Sequence, residues 1–258
     1  MIFSLLRSCL IILFIINTAF AQNENFVQLN TDSKWQLKFS DNCTEDWETK
    51  WFLDGLRAQV VNTQKGMLFS AGDVEHDHSC HAVLWTKPSF SGDVKIEYDY
   101  TKIDTRVSQV NIVYIQAQGI HEGKKDIFTW KDERDIPYMR TYFDNMKCLH
   151  ISYAAFGNDG EYIRARQYPR LEGTDFNTTT EIPPASFNTG LFIPGKKYKI
   201  TIIKTKTKLF FRVKGDSKEK VFSWDLDEQN QVKNGRIGLR HMFTRSSLYS
   251  NFKVYTKL

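Results

Sequence analysis

Apolar residues along this chain recur mostly with a period of two. Short alternating runs rich in Val, Ile, Tyr, Phe and Thr are separated by turn residues, the pattern of half-buried strands. The alternation predicts strands over Gln59–Val61, Met67–Ala71, Ala82–Thr86, Val94–Thr101, Gln109–Gln118, Leu149–Phe156 and Tyr162–Tyr168. It predicts others over Lys197–Lys204, Lys208–Lys214, Lys220–Asp225, Arg236–Phe243 and Ser247–Tyr255. Turn cues lie between them, among them Asn62 to Gly66, Ser91-Gly92-Asp93, Asn158-Asp159-Gly160, Pro194-Gly195 and Asn234-Gly235. One stretch, Pro137 to Met146, has the helical period instead: Tyr138, Tyr142 and Met146 recur every fourth residue behind an early proline. Strands do not alternate with helices, which argues against a parallel α/β sheet. With no internal repeat and no Pro/Gly/Ser linker, the pattern predicts one all-β domain. A two-sheet β-sandwich or jelly roll with one short helix is the expected architecture.

The first residues depart from this pattern. Arg7 is the only charge before Glu24, and Cys9 to Ile16 is uninterruptedly apolar. Ala19-Phe20-Ala21 then provides a small-x-small site. A positive start, a short apolar run and such a site describe a secretory signal peptide over 1–21, leaving 22–258 as the mature chain. Polar Asn17, Thr18, Gln22 and Asn23 close the run below the roughly 20 residues a membrane span needs. An exported protein, periplasmic or secreted, without a membrane span after cleavage, is expected. Three cysteines remain, Cys43, Cys80 and Cys148, and an odd count allows one bridge and one leftover thiol.

Composition then narrows the function classes. Hydrophobic residues make up 41% of the 258, enough to exclude long disorder. The formal charge of +5 allows an anionic ligand but falls well short of a dedicated nucleic-acid binder. Aromatic residues reach 14%, so rings can fill a core and still line a binding surface.

Several strands alternate in a way that suits a groove on an outer sheet face. In Tyr162–Tyr168, Tyr162, Arg164, Arg166 and Tyr168 share one side, and Ile163 and Ala165 the other. His150 and Ser152 lie opposite Leu149, Ile151 and Tyr153. His81, Trp85 and Lys87 face one way, though Val83 joins them, and Tyr114, Gln116 and Gln118 line up similarly. The plain alternative for the arginine strand is a solvated basic face. For a lone His150 it is a hydrogen-bonded structural role. The segment His76-Asp77-His78-Ser79-Cys80-His81 is rich in metal-ligand types, but its spacing fits no standard closed site. No metal or cofactor is predicted; a structural calcium held by backbone carbonyls would leave no sequence signature.

The runs HAVLWTKPSFSGDVKIEYDYT (81–101), PYMRTYFDNMKCLHISYAAFG (137–157), YIRARQYPRLEG (162–173) and GRIGLRHMFTRSSLYSNFKVY (235–255) resemble the YesU-like family of concanavalin-A-like lectin/glucanase jelly rolls. They are also similar to its marine-bacterial, ulvan-type members. The resemblance implies a jelly roll in polysaccharide utilisation and β-elimination on uronic acid oligosaccharides, as dehydratase or lyase.

Such chemistry needs three parts: a cation to neutralise the uronate carboxylate, a base for the C5 proton and an acid for the leaving oxygen. Arg suits the first through bidentate bonds. His150 and Tyr168 are the candidate base and acid, with His81 an alternative. Arg164 and Arg166 are candidate carboxylate holders, Gln116 and Arg240 assist, and Trp85 and Tyr114 are candidates for stacking on sugar rings. Two other readings stay open. A non-catalytic carbohydrate-binding protein would use the same groove. A glycoside hydrolase would use Glu97 and Asp99, which share a strand face.

Overall fold

The computed structural model describes residues 23–228 and 231–257. The signal-peptide reading over 1–21 lies outside the described residues. Two antiparallel sheets stack face to face, as the two-residue period predicts. The first runs β14 (Glu219–Asp225), β13 (Lys208–Lys214), β12 (Lys197–Lys204), β7 (Asp93–Lys102), β16 (Ser246–Lys257), β4 (Gly66–Ser70) and β3 (Gln59–Thr63), with β1 (Gln36–Asp41) also on β16. The second runs β11 (Glu181–Phe187), β10 (Gly160–Tyr168), β9 (Met146–Gly157), β8 (Asn111–Gly119), β15 (Asn234–Met242), β5 (His81–Thr86) and β2 (Trp51–Asp54), with β6 (Phe90–Ser91) also on β15.

Each strand expected from the alternation is present. Four strands lacked a readable signal. β11 carries Pro183 and Pro184, which argue against a strand in sequence and are tolerated because this strand closes an edge. β2 and β6 are too short to show a period, and β1 is interrupted by a register shift between Leu37 and Phe39. The predicted helix forms over Met139–Asn145. Met146 already belongs to β9, so the predicted end overshoots the observed one by a single residue.

Between the sheets lies the main core, where inward positions of both sheets meet: Ile96, Tyr98, Tyr100, Val113, Ile115, Leu149, Ile151, Ile163 and Ala165 are among its members. Rings pack edge to face in it, such as Trp51 on Phe252 at 4.8 Å. A second buried cluster sits on the outer face of the second sheet. Trp85, Ile112, Tyr114, Cys148 and Tyr168 meet Ile127, Trp130 and Tyr142 there. The latter three belong to residues 120–145, a long connection between β8 and β9 holding the 3-10 segment Ile127–Arg134 and the helix Met139–Asn145. It lies over the outer face like a roof, and Asp54 fastens it. The buried carboxylate accepts from Arg134 Nε (2.7 Å), the Tyr142 hydroxyl (2.9 Å) and Trp85 Nε1 (2.7 Å). The roof spares only part of the sheet. That part is the site.

The cysteines give no bridge among the described residues. Cys43, Cys80 and Cys148 are each free and buried, and burial pushes the Cys43 thiol up to about 12.

Candidate functional site

Where the roof ends, β8, β9 and β10 floor a cleft of about 340 Å3. His150, Ser152, Ile112, Arg164 and Arg166 form its floor; Phe143, Met139, Tyr162, Phe156, Phe176 and Met242 wall it, with Gln109 and Asn177 at its lip. The geometry follows from register. Arg166 pairs with His150 and His150 with Tyr114, while Arg164 pairs with Ser152 and Ser152 with Ile112. Side chains on the same face of directly opposed residues are neighbours, so the arginines and the histidine converge.

His150 is buried. Its Nε2 lies 3.3 Å from Ser152 Oγ, and its Nδ1 has no hydrogen-bond partner among the described residues. The ring stands edge-on to Tyr168 at 4.9 Å and to Tyr114 at 5.9 Å. Burial, joined by the charges of Arg166, Arg240 and Arg164, holds its pKa well below the usual histidine value, so the imidazole is neutral near pH 7. Tyr168 lies immediately behind the cleft, against Phe143 and Phe176, and its hydroxyl also lacks a partner among the described residues. Burial raises its pKa well above the ordinary phenol value, so it holds its proton.

The two arginines are not equivalent. Arg166 is almost fully buried and pins the short helix Phe176–Thr180, donating to Thr180 Oγ1 (2.8 Å), the Phe176 and Asn177 carbonyls and Asn177 Oδ1 (3.1 Å). Arg164 keeps 19% of its side chain exposed, contacts Glu181 at 3.1 Å and lies over the Tyr162 ring at 4.9 Å. Glu181 also approaches Arg166, at 3.9 Å. Two cations against one carboxylate leave the cleft net positive.

Other expected site residues are placed elsewhere. Trp85 and Tyr114 were expected to stack on sugar rings, but both are fully buried under the roof, stacked on each other at 5.4 Å. Gln116 was expected in the groove. It adopts a positive φ of 52° where the β8–β9 register shifts between Ile115 and Gln118. That bulge breaks the alternation, and the Gln116 amide donates instead to the Phe90 and Gly92 carbonyls. Arg240 is buried one strand away, donating to the Pro137 carbonyl (2.6 Å) at the roof, with the Tyr142 ring 4.6 Å beneath its guanidinium. His81 is not in the cleft lining; its Nδ1 meets Arg240 at 3.1 Å and its Nε2 meets His78 at 3.2 Å, and burial depresses its pKa to about 2. The surrounding histidine-rich segment is a 3-10 turn capped by Asp77. No cluster of three metal-ligating side chains occurs among the described residues.

Glu97 and Asp99 lie on β7 of the first sheet, outward from the core, and Asp99 accepts from Asn251. They do share a face, but neither lines the cleft, so a hydrolase built on them would not use it. Among the lining that the sequence missed, Met139 and Phe143 come from the roof helix and Phe176 and Asn177 from the short helix after β10. Nothing in a strand period could have found it.

Solved structures with this arrangement are similar in shape and distant in sequence. A protein of unknown function with a galectin-like fold from Bacillus subtilis superposes with a TM-score of 0.64 at 16% identity, over 87% of this chain and all (100%) of that one. The carbohydrate recognition domain of Emp47p gives 0.58 at 13% identity, over 88% and 100%. The exoplasmic/lumenal domain of VIP36, in a form bound to Ca2+ and Man3GlcNAc, gives 0.56 at 12%, over 86% and 91%. At such identities the likeness establishes the galectin-like jelly roll and nothing finer. No curated protein sequence matches the chain. No helix among the described residues is long and apolar enough to cross a membrane. A sequence profile does match residues 39–254, nearly the whole sandwich, and the chain belongs to that family, the domain of unknown function DUF1961.

Proposed function

We propose that the cleft binds a carboxylate-bearing saccharide. The observation that carries this reading is the convergence of Arg164 and Arg166 on one floor between aromatic walls, with Glu181 the one carboxylate paired to them among the described residues. An arginine suits a planar carboxylate, and apolar walls suit the C–H faces of a sugar ring. The fold lends support by analogy, since Emp47p contributes a carbohydrate recognition domain and VIP36 a mannose-oligosaccharide complex on the same sandwich.

A second reading, elimination within the bound sugar, is favoured by one specific observation. The His150 and Tyr168 rings are buried edge to face, and neither His150 Nδ1 nor the Tyr168 hydroxyl is in hydrogen-bonding geometry with any partner among the described residues. In this reading neutral His150 takes the C5 proton of a uronate. The freed electron pair forms the C4–C5 double bond, the C4–O bond breaks, and Tyr168 protonates the departing oxygen. Burial is the main cause of the lowered His150 basicity, and of the arginines that add to it, Arg166 and Arg164 line the cleft, so a carboxylate bound there offsets that smaller part. The resemblance to uronate-eliminating enzymes agrees with this chemistry, and an ulvan- or rhamnogalacturonan-like oligosaccharide is the corresponding substrate class. Without a competent base and acid, the same cleft is that of a carbohydrate-binding module.

One experiment separates the readings. Purified protein is incubated with uronate-containing oligosaccharides while the ultraviolet absorbance of a 4,5-unsaturated uronate is followed. Elimination gives a rise that Arg164→Ala weakens about tenfold and His150→Ala lowers at least a hundredfold. Binding without any rise supports the module, and no binding to any acidic sugar sinks both.

A further inference from the structure

Beyond the cleft, the floor continues along the edge of the second sheet. Tyr162 on β10 stands directly opposite Phe187 on β11, their ring centroids 6.3 Å apart. Phe187 lies outside the cleft lining and is 42% exposed. A single exposed apolar residue is ordinary. This one is joined to the cleft: the Arg164 guanidinium lies 4.9 Å from the Tyr162 ring centre and 5.8 Å from that of Phe187. Three flat groups thus run outward from the floor. From Arg166 to Tyr162 is four strand residues, roughly 13 Å at 3.3 Å each, more than one sugar ring occupies. Glu161, next along β10, is engaged by the Thr189 backbone and hydroxyl, which holds the loop after β11 against the end of this platform.

We propose that Tyr162 and Phe187 form a second sugar subsite, stacking the ring next to the one held at Arg164 and His150, so that the ligand is an oligosaccharide. The proposal rests on the saccharide reading of the cleft and adds a length requirement to it. Aromatic faces take the apolar side of a sugar ring, while the guanidinium at their margin meets its hydroxyl or carboxylate edge. Tyr162 belongs to both subsites, whereas Phe187 serves the outer one alone. It is therefore a specificity-determining residue for chain length.

Oligogalacturonates and oligoglucuronates of one to four residues, titrated calorimetrically into the full chain, test this. Wild type should bind two- or three-residue probes at least about tenfold more tightly than the monosaccharides. Phe187→Ala should abolish that gain while leaving monosaccharide affinity unchanged, and Phe187→Tyr should keep it. The substitution sits on a partly exposed edge, and an unchanged thermal transition confirms that the variant folds. Monosaccharide binding lost in Arg164→Ala, without any gain with length in wild type, overturns the outer subsite and spares the cleft. A Phe187→Ala variant that keeps the full gain overturns the subsite as well. No binding of any uronide to wild type overturns both.

Discussion

At the scale of single residues, alternation was a reliable guide to which face a side chain takes and a poor guide to whether water reaches it. Tyr162, Arg164, Arg166 and Tyr168 do share one face, as YIRARQY implies. Trp85 faces the same way, yet residues 120–145 cover it. Gly238 records how closely it is packed: a Cβ there would lie 2.5 Å from Trp85 Cζ3 and 2.6 Å from Cε3. The ring occupies the space that a side chain would take, packed beside both Tyr114 and Tyr142, whose rings also lie 6.0 Å from each other. Gly238→Ala should therefore destabilise the protein by about 1–3 kcal/mol through overpacking. Urea unfolding would show it, and an unchanged midpoint would mean that the stack shifts freely. Gln116 is the opposite lesson. Its left-handed backbone sits at the bulge, and no glycine stands at that position to announce it.

At the scale of elements, the roof decides what the outer face becomes. Its fastening is concentrated on Asp54, which binds Arg134 from the 3-10 segment and Tyr142 from the helix. Both members of the Asp54–Arg134 pair are fully buried. Removing the acid strands a guanidinium in the interior, which costs about 3–5 kcal/mol. Asp54→Ala should lose that much stability, and amide hydrogen exchange should accelerate first over residues 127–145. Protection equal to wild type there would show that apolar packing alone holds the roof. The helix itself was legible from its fourfold spacing. Its role was not, because Asp54, which binds its Tyr142, lies 88 residues away in sequence.

For the whole molecule, burial of neutral histidines sets an acid limit. His81 is depressed to about 2 and His241 to about 3, and His150 lies well below the usual value, all chiefly by burial. Folded, these rings stay neutral as pH falls; unfolded, each takes a proton near its ordinary pKa of about 6.5. The unfolded chain then binds more protons, so stability is full above that value and declines below it, until the folded rings titrate near their own depressed values. Three such groups give a slope approaching about 4 kcal/mol per pH unit once all are charged in the unfolded state. Urea midpoints should fall steeply between pH 6 and 4. His241→Gln, which keeps a polar group beside the Tyr249 hydroxyl, should remove about a third of that slope. A flat profile would contradict the burial of these rings.

By itself the sequence determined most of the strands, their inward faces and the all-β class, because a two-residue period and turn chemistry are local properties; β1, β2, β6 and β11 were not legible in it. It also determined which face of β10 carries the cations. Only the tertiary structure decided which of those groups form one site. Arg164, Arg166 and His150 meet through the register of β10 on β9, while Trp85 and Arg240 lie under the roof and His81 pairs with Arg240 and His78 outside the cleft. Exposure depends on what a distant segment covers, and no local period encodes that. The aromatic excess, too, divides three ways only in the folded chain: between the sheets, beneath the roof, and along the cleft with its edge at Tyr162 and Phe187.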